Sequence, residues 1–279
     1  MADIRIFMCC HKGFRTLPPL CVPIRCGSAL NPAGEGEIPD CCGENISDKN
    51  REYCELTAHY YAWKNVSADY YGFCHYRRFL GLGGTKRPYA ARGVLSEKEC
   101  AEFFGTEEQW RELIEAHELI VPRSEDMGLS VREHYCTSAF HYEEDLAIFL
   151  EGIEHRAPVL AEFAQEYLSQ NRQYFCNMFI MDREHFMEYC EMLFAVLEYF
   201  DERKTLHGDF QSDRADGYLG ELFTGIYINY CRRSGADIAE LPRIDAECSW
   251  KKRLGCALLP PESKRRFAAK SVVKKNRSR

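Results

Sequence analysis

Apolar residues fall in short runs separated by longer stretches with helical spacing. "DIRIFMCC" (3–10) alternates and reads as a strand. "LCVPIRCG" (20–27) is a second candidate, which Pro23 places at a sheet edge. "ADYYGFCHY" (68–76), "ELIVP" (118–122) and "QYFCNMFIM" (173–181) read as further strands, and "DIAELPRIDAEC" (237–248) holds a last one. Ser47 and Asp48 look like a helix start, a capping hydroxyl followed by an acid. Tyr53, Leu56, Tyr60 and Trp63 then form one buried helical stripe. "SEKECAEFF", "EEQWRELIEAH", residues 130–170, "REHFMEYCEMLFAVLEYFDER" and "DGYLGELFTGIYINYCRR" read as helices. Strands that alternate with helices predict an α/β fold with a mostly parallel central sheet flanked by helices. We expect one domain over residues 1–260, a helical insertion at about 125–172, and a tail over 261–279.

Composition narrows the class. The chain has 279 residues, 46% hydrophobic and 28% charged, as in ordinary soluble domains. Its 15 cysteines are odd in number and irregularly spaced, and no long apolar segment opens the chain, so we expect free thiols in the cytoplasm. The adjacent pairs at 9–10 and 41–42 do not match a C-x-x-C zinc clip. No run reaches the roughly 20 apolar residues that span a bilayer. The net charge of −7 is uneven: residues 264–279 carry eight Lys/Arg and no acid, which leaves the body near −15. An acidic body argues against nucleic acid. A basic tail suits peripheral contact with an anionic membrane face, against the plain alternative of a solvated, disordered terminus.

Candidate chemistry gathers where strands end. Open α/β sheets bind ligands beyond the carboxyl ends of their strands. "CCHK" (9–12) follows the first strand, "HYRR" (75–78) follows the third, and Asn177 interrupts "YFCNMFIM". The expected helix start at Ser47 adds free N–H groups suited to phosphate. Arg77 and Arg78 suit a diphosphate clamp, although strand alternation predicts that only one faces the cleft. Cys10, His11, Lys12, Asn45, Ser47, His75 and Asn177 complete a candidate anion and sugar site. Each has a plain alternative: solvation for His11 and Lys12, capping for Asn45, a structural role for His75, backbone partners for Asn177. Asp209, Asp213, Asp216 and Glu221 cluster near a helix start, where helix-charge compensation explains Asp213 and Asp216 better than Glu221. No G-x-x-x-x-G-K-[ST], G-x-G-x-x-G or G-x-S-x-G occurs, which counts against P-loop, dinucleotide and serine-hydrolase chemistry.

"IRIFMCCHK", "ENISDKNREYCELTAHYYAWKN", "ADYYGFCHYRRFL", "CNMFIMDREHF" and "RADGYLGE", in that order, carry a family resemblance. The chain resembles the bacterial capsular and exopolysaccharide glycosyltransferase-like proteins, long a domain of unknown function. The resemblance implies a GT-A-like (Rossmann-like) glycosyltransferase that moves a hexose, galactofuranose among the candidates, from a UDP-sugar to a glycan or lipid-linked glycan acceptor. It implies Glu221 as the base, Asp213 as second choice, and Arg78 with Arg77 against the leaving diphosphate. Such folds usually carry a D-x-D motif for Mn2+ or Mg2+ where His75–Arg78 stand. This chain has none there, so metal dependence stays open and an arginine is the candidate replacement. The rival from another class is a non-catalytic nucleotide- or glycan-binding subunit of a polysaccharide assembly complex. A metal- or thiol-dependent hydrolase is the weaker third.

Overall fold

The computed structural model describes residues 1–258. The expected basic tail lies outside the described residues. Twelve strands are present among them: β1 (Ile4–Cys10), β2 (Cys21–Arg25), β3 (Ile38–Pro39), β4 (Tyr70–His75), β5 (Arg78–Leu80), β6 (Tyr89–Ala91), β7 (Leu119–Pro122), β8 (Glu125–Asp126), β9 (Arg172–Gln173), β10 (Phe179–Asp182), β11 (Ile238–Leu241) and β12 (Arg243–Asp245). The α-helices are α1 (Asn50–Tyr53), α2 (Leu56–Asn65), α3 (Glu97–Phe104), α4 (Glu107–Glu115), α5 (Val131–Thr137), α6 (Glu143–Arg156), α7 (Ala161–Ser169), α8 (Arg183–Asp201), α9 (Ala215–Ser234) and α10 (Trp250–Leu258).

The main sheet runs β3-β2-β1-β4-β10-β7-β11. β1 pairs in parallel with β2 and β4, and β7 with β11; along this row β10 runs against both of its neighbours. The strands are near-continuous apolar runs because helices cover both faces. On one face, α2, α6, α8 and α9 bury an aromatic core around Phe73, Phe179, Phe186, Tyr189 and Phe223. On the other, α3 and α4 pack Phe103, Phe104, Trp110 and Ile114 against Ile6, Met8 and Ile180. β5 and β6 flank β12 in a small extension beside β4. Between β8 and β9, residues 131–169 hold α5, α6 and α7.

Four expectations need correction. β3 pairs only with Ile24 and Arg25, so β2 is an outer strand at Pro23 but not along its whole length. Ser47 does not cap a long helix: it begins a single 3-10 turn, Ser47–Lys49, and α1 ends at Cys54, whose φ of 53° and ψ of −125° no helix accommodates. The stripe from Tyr53 to Trp63 is therefore split between two helices. The expected strand 173–181 breaks into β9 and β10, and Asn177 stands in the loop between them at φ 45°. "DIAELPRIDAEC" supplies two strands, broken at Pro242.

Candidate functional site

β1 and β4 end side by side, and β10 runs the other way, so its entry lies at their carboxyl edge. That edge opens on a cavity of about 700 Å³. β1 delivers His11 and Lys12, and α1 with its exit delivers Arg51, Cys54 and Glu55.

"HYRR" enters as a hairpin. His75 closes β4, Arg78 opens β5, and the two are directly paired across a two-residue turn. Alternation along one straight strand therefore does not apply, and Arg77 and Arg78 both line the cavity. Neither forms an ion pair with a carboxylate among the described residues. The Arg77 guanidinium lies 4.8 Å from the Tyr76 ring centre, a cation–π contact that leaves its N–H groups available. His75 is no cation. Burial, with Arg78 and His11 beside it, lowers its pKa to about 2, and its Nδ1 accepts the Arg77 backbone N–H at 3.2 Å. His11 is likewise pushed toward the neutral form by burial.

Across the cavity runs α9, which contributes Gly217, Tyr218 and Glu221. It approaches closely because two positions lack side chains. A Cβ on Gly217 would stand 3.0 Å from Cys54 Sγ, and one on Gly220 would stand 2.7 Å from Leu56. Glu221 accepts the Cys176 backbone N–H at 3.1 Å. Asn177 Nδ2 donates to Glu55 Oε1 at 3.1 Å and to the Gly217 carbonyl at 3.2 Å, while Thr224 Oγ1 donates to Asn177 Oδ1. Cys176 and Asn177 both have positive φ, 81° and 45°, as does Cys54. Left-handed backbone at non-glycine residues costs on the order of 1 kcal/mol or more each, and here it aims N–H groups at two carboxylates. Burial, with Glu55 adjacent, pushes the Glu221 pKa up to about 7, and Arg78 partly opposes that rise.

The remaining expected residues lie elsewhere. Cys10 is buried, with its thiol donating to the Met8 carbonyl. Ser47 is buried against Asp40, to which its hydroxyl donates, and it accepts the Ala29 N–H. Asp40 also gathers the N–H groups of Gly27 and Ser28 and the Thr57 hydroxyl, so this cluster ties the turn after β2 to α2. Asn45 braces its own loop through the Cys41 and Gly43 carbonyls. Asp213 accepts the N–H groups of His207 and Gly208, which commits it to a turn outside the cavity lining. Asn177 is buried and reaches the site through Glu55.

Glu55, Arg51, Cys54, His141, Phe210, Arg214 and Tyr218 were not expected in the lining. Arg214 Nε lies 3.1 Å from Cys54 Sγ, and burial raises that thiol's pKa to about 12, so Cys54 packs as a neutral group.

Among the described residues, the acids that come together as a group of three, closely enough to share a cation, are Glu52, Asp201 and Asp216. The Lys204 ammonium already stands between them, at 2.5, 2.6 and 2.7 Å. None of the three lines the cavity. At the cavity, Glu55 and Glu221 are engaged by Asn177 and Cys176 and surrounded by arginines. The carboxylates in the lining are Glu55 and Glu221, so a divalent ion there would be held by them together with the donor's own phosphate oxygens, and would share in neutralising the leaving group.

The family model described as Domain of unknown function (DUF4422) matches residues 5–233. Among solved structures, the chain is similar to the apo structure of WbbM, a bifunctional glycosyltransferase, at 27% identity and a TM-score of 0.80. The match covers 88% of this chain and 46% of that one, so this chain spans less than half of that protein's length. No curated protein sequence matches the chain. The fold is of the GT-A-like glycosyltransferase kind, with a mostly parallel central sheet between helical layers.

Proposed function

We propose that this chain, which belongs to the DUF4422 family, is a glycosyltransferase that moves a hexose from a UDP-sugar to a glycan acceptor in surface-polysaccharide assembly. The observation that carries the reading is the hairpin at His75–Arg78. It turns two guanidinium groups, neither ion-paired to a described acid, into a cavity that also holds a carboxylate poised near neutrality. The likeness to a solved glycosyltransferase supports it. UDP, hexose and pathway come from the family resemblance.

In this reading the donor diphosphate lies against Arg77, Arg78 and Lys12. Guanidinium groups meet phosphate oxygens in bidentate fashion and keep their charge at any working pH. Glu221 takes the proton from the acceptor hydroxyl as that oxygen forms a bond to the anomeric carbon. The bond from that carbon to the diphosphate oxygen breaks, and its electron pair leaves with the nucleotide. The negative charge that grows on the departing oxygen is stabilised by Arg78 and Arg77, a fixed field in place before the reaction begins. A carboxylate with a pKa near 7 suits the base, because enough is ionised at neutral pH while proton affinity stays high. Asn177 and the Cys176 N–H hold Glu55 and Glu221 in place.

Thermal shift with UDP, followed by assay of UDP released from UDP-hexoses, tests this. Binding by the wild type, lost in Arg78→Ala together with release, is expected. Unchanged UDP affinity and turnover in Arg78→Ala would remove that side chain from the site. UDP binding without release across a panel of glycan acceptors would favour a non-catalytic binding subunit.

A further inference from the structure

The cavity also has an aromatic wall. His141 lies between two phenol rings, with centroid distances of 4.4 Å to Tyr135 and 4.4 Å to Tyr218. His141 and Tyr218 line the cavity, and so does Phe210, which is 61% exposed. The three come from separate segments: the turn between α5 and α6, the loop before α9, and the first turn of α9. Arg214 bridges them, its guanidinium carbon 5.9 Å from the Phe210 ring and 5.8 Å from the Tyr218 ring.

Position on α9 links this wall to the proposed chemistry. Tyr218 and Glu221 are three residues apart, so they share a helix face and are separated by roughly 4.5 Å of axial rise. A hydroxyl placed at Glu221 therefore puts the ring that bears it beside Tyr218 and His141. Burial lowers the His141 pKa to about 4, so at neutral pH the imidazole is uncharged, and with Nδ1 buried it is Nε2 that is left to meet a ligand. Such a group pairs with a sugar hydroxyl, while the aromatic faces suit the C–H side of a pyranose or furanose ring.

We propose that His141, Tyr218 and Phe210 form the acceptor subsite and take one sugar ring of the acceptor glycan, by stacking and by hydrogen bonds to its hydroxyls. The inference rests on the transferase reading and adds to it the placement and chemical class of the second substrate.

The test is saturation-transfer NMR on the full chain, with and without UDP. The probes are the methyl glycosides of galactose, glucose, mannose and N-acetylglucosamine. Saturation passing to the ring C–H protons of at least one glycoside is expected in the wild type. Binding should weaken by about threefold or more in Phe210→Ala and in His141→Ala, the scale of one lost aromatic contact. Phe210 is exposed enough that its truncation leaves the core intact, which covers a misfolded His141 variant. Arg78→Ala should lose UDP and keep the glycoside. Wild-type glycoside binding in Phe210→Ala and in a folded His141→Ala would overturn the assignment. So would no saturation of any of the four glycosides by UDP-loaded wild type. UDP binding is measured by thermal shift on the same samples: its absence in the wild type would sink the donor reading, whereas the glycoside result judges the aromatic wall alone.

Discussion

Glu55 stands beside Glu221 and opposes its ionisation, and consecutive residues of one strained turn, Asn177 and Cys176, hold the two carboxylates. The Glu221 pKa of about 7 lies above the 4.5 of a free glutamate, so the ionised base accumulates as pH rises through neutrality. The acid limb of the rate profile should therefore follow Glu221. Glu55→Gln removes a negative neighbour and should move that limb to lower pH, while Arg78→Ala removes a favourable cation and should move it up in whatever activity survives. The same shift acts on stability. The folded pKa exceeds the unfolded one, so the group's favourable contribution is full below 4.5 and is lost as pH rises toward and through 7. Urea unfolding across that window in wild type and Glu221→Gln measures it: the variant should show the shallower decline.

Glu221→Gln keeps the side chain's size and removes its basicity. Transfer should fall by about 10²–10⁴-fold, the usual weight of a general base, while UDP affinity stays within about twofold. A comparable loss of UDP affinity would mean that Glu221 orders the cavity rather than taking a proton.

Asn177→Ala deletes the bonds to Glu55 and to the Gly217 carbonyl in a buried setting. The expected loss of stability is about 1–3 kcal/mol, with a larger fall in kcat than rise in KM, because the carboxylates lose their support and the phosphate contacts do not. Asn177→Asp would keep the backbone preference but place a third acid beside Glu55, and should be worse than Asn177→Ala. Denaturation midpoints and steady-state kinetics of both variants decide it.

Lys204→Met leaves Glu52, Asp201 and Asp216 facing one another without their shared cation. Burial and the Asp201 charge already raise the Asp216 pKa to about 7. Removing one partner from a buried ionic cluster costs about 3–5 kcal/mol. Part of that loss should return below neutral pH as the carboxylates protonate, so the Tm deficit relative to wild type should shrink on acidification. A deficit that does not change with pH would place the lysine's role in packing.

Much of the scaffold is legible in the residues. β1, β4 and β7 are near-continuous apolar runs bounded by turns, and the polar residues just past β1 and β4 do meet at the sheet's carboxyl edge. Six of the expected residues, His11, Lys12, His75, Arg77, Arg78 and Glu221, line one cavity. What periodicity could not reveal is long-range. That Ser47 serves a buried Asp40 seven residues earlier, or that Asn177 reaches Glu55 across 122 positions, depends on tertiary packing. Glu55 carried a signal only through its place in "REYCELTAHYY". The reversal at Cys54 that turns it toward the cavity uses backbone angles that cysteine rarely adopts, so the residue type gives no warning. His141 and Phe210 sit on connecting loops, which hydrophobic spacing does not describe.

Gly217 and Gly220 touch no ligand in this scheme, yet they set how closely the glutamate-bearing helix approaches Cys54 and Leu56, on either side of Glu55. The gauge of the reaction chamber is thus recorded as two absences. A single methyl group at residue 220 would act as a shim behind the helix and spoil a reach of ångströms without altering any reacting group.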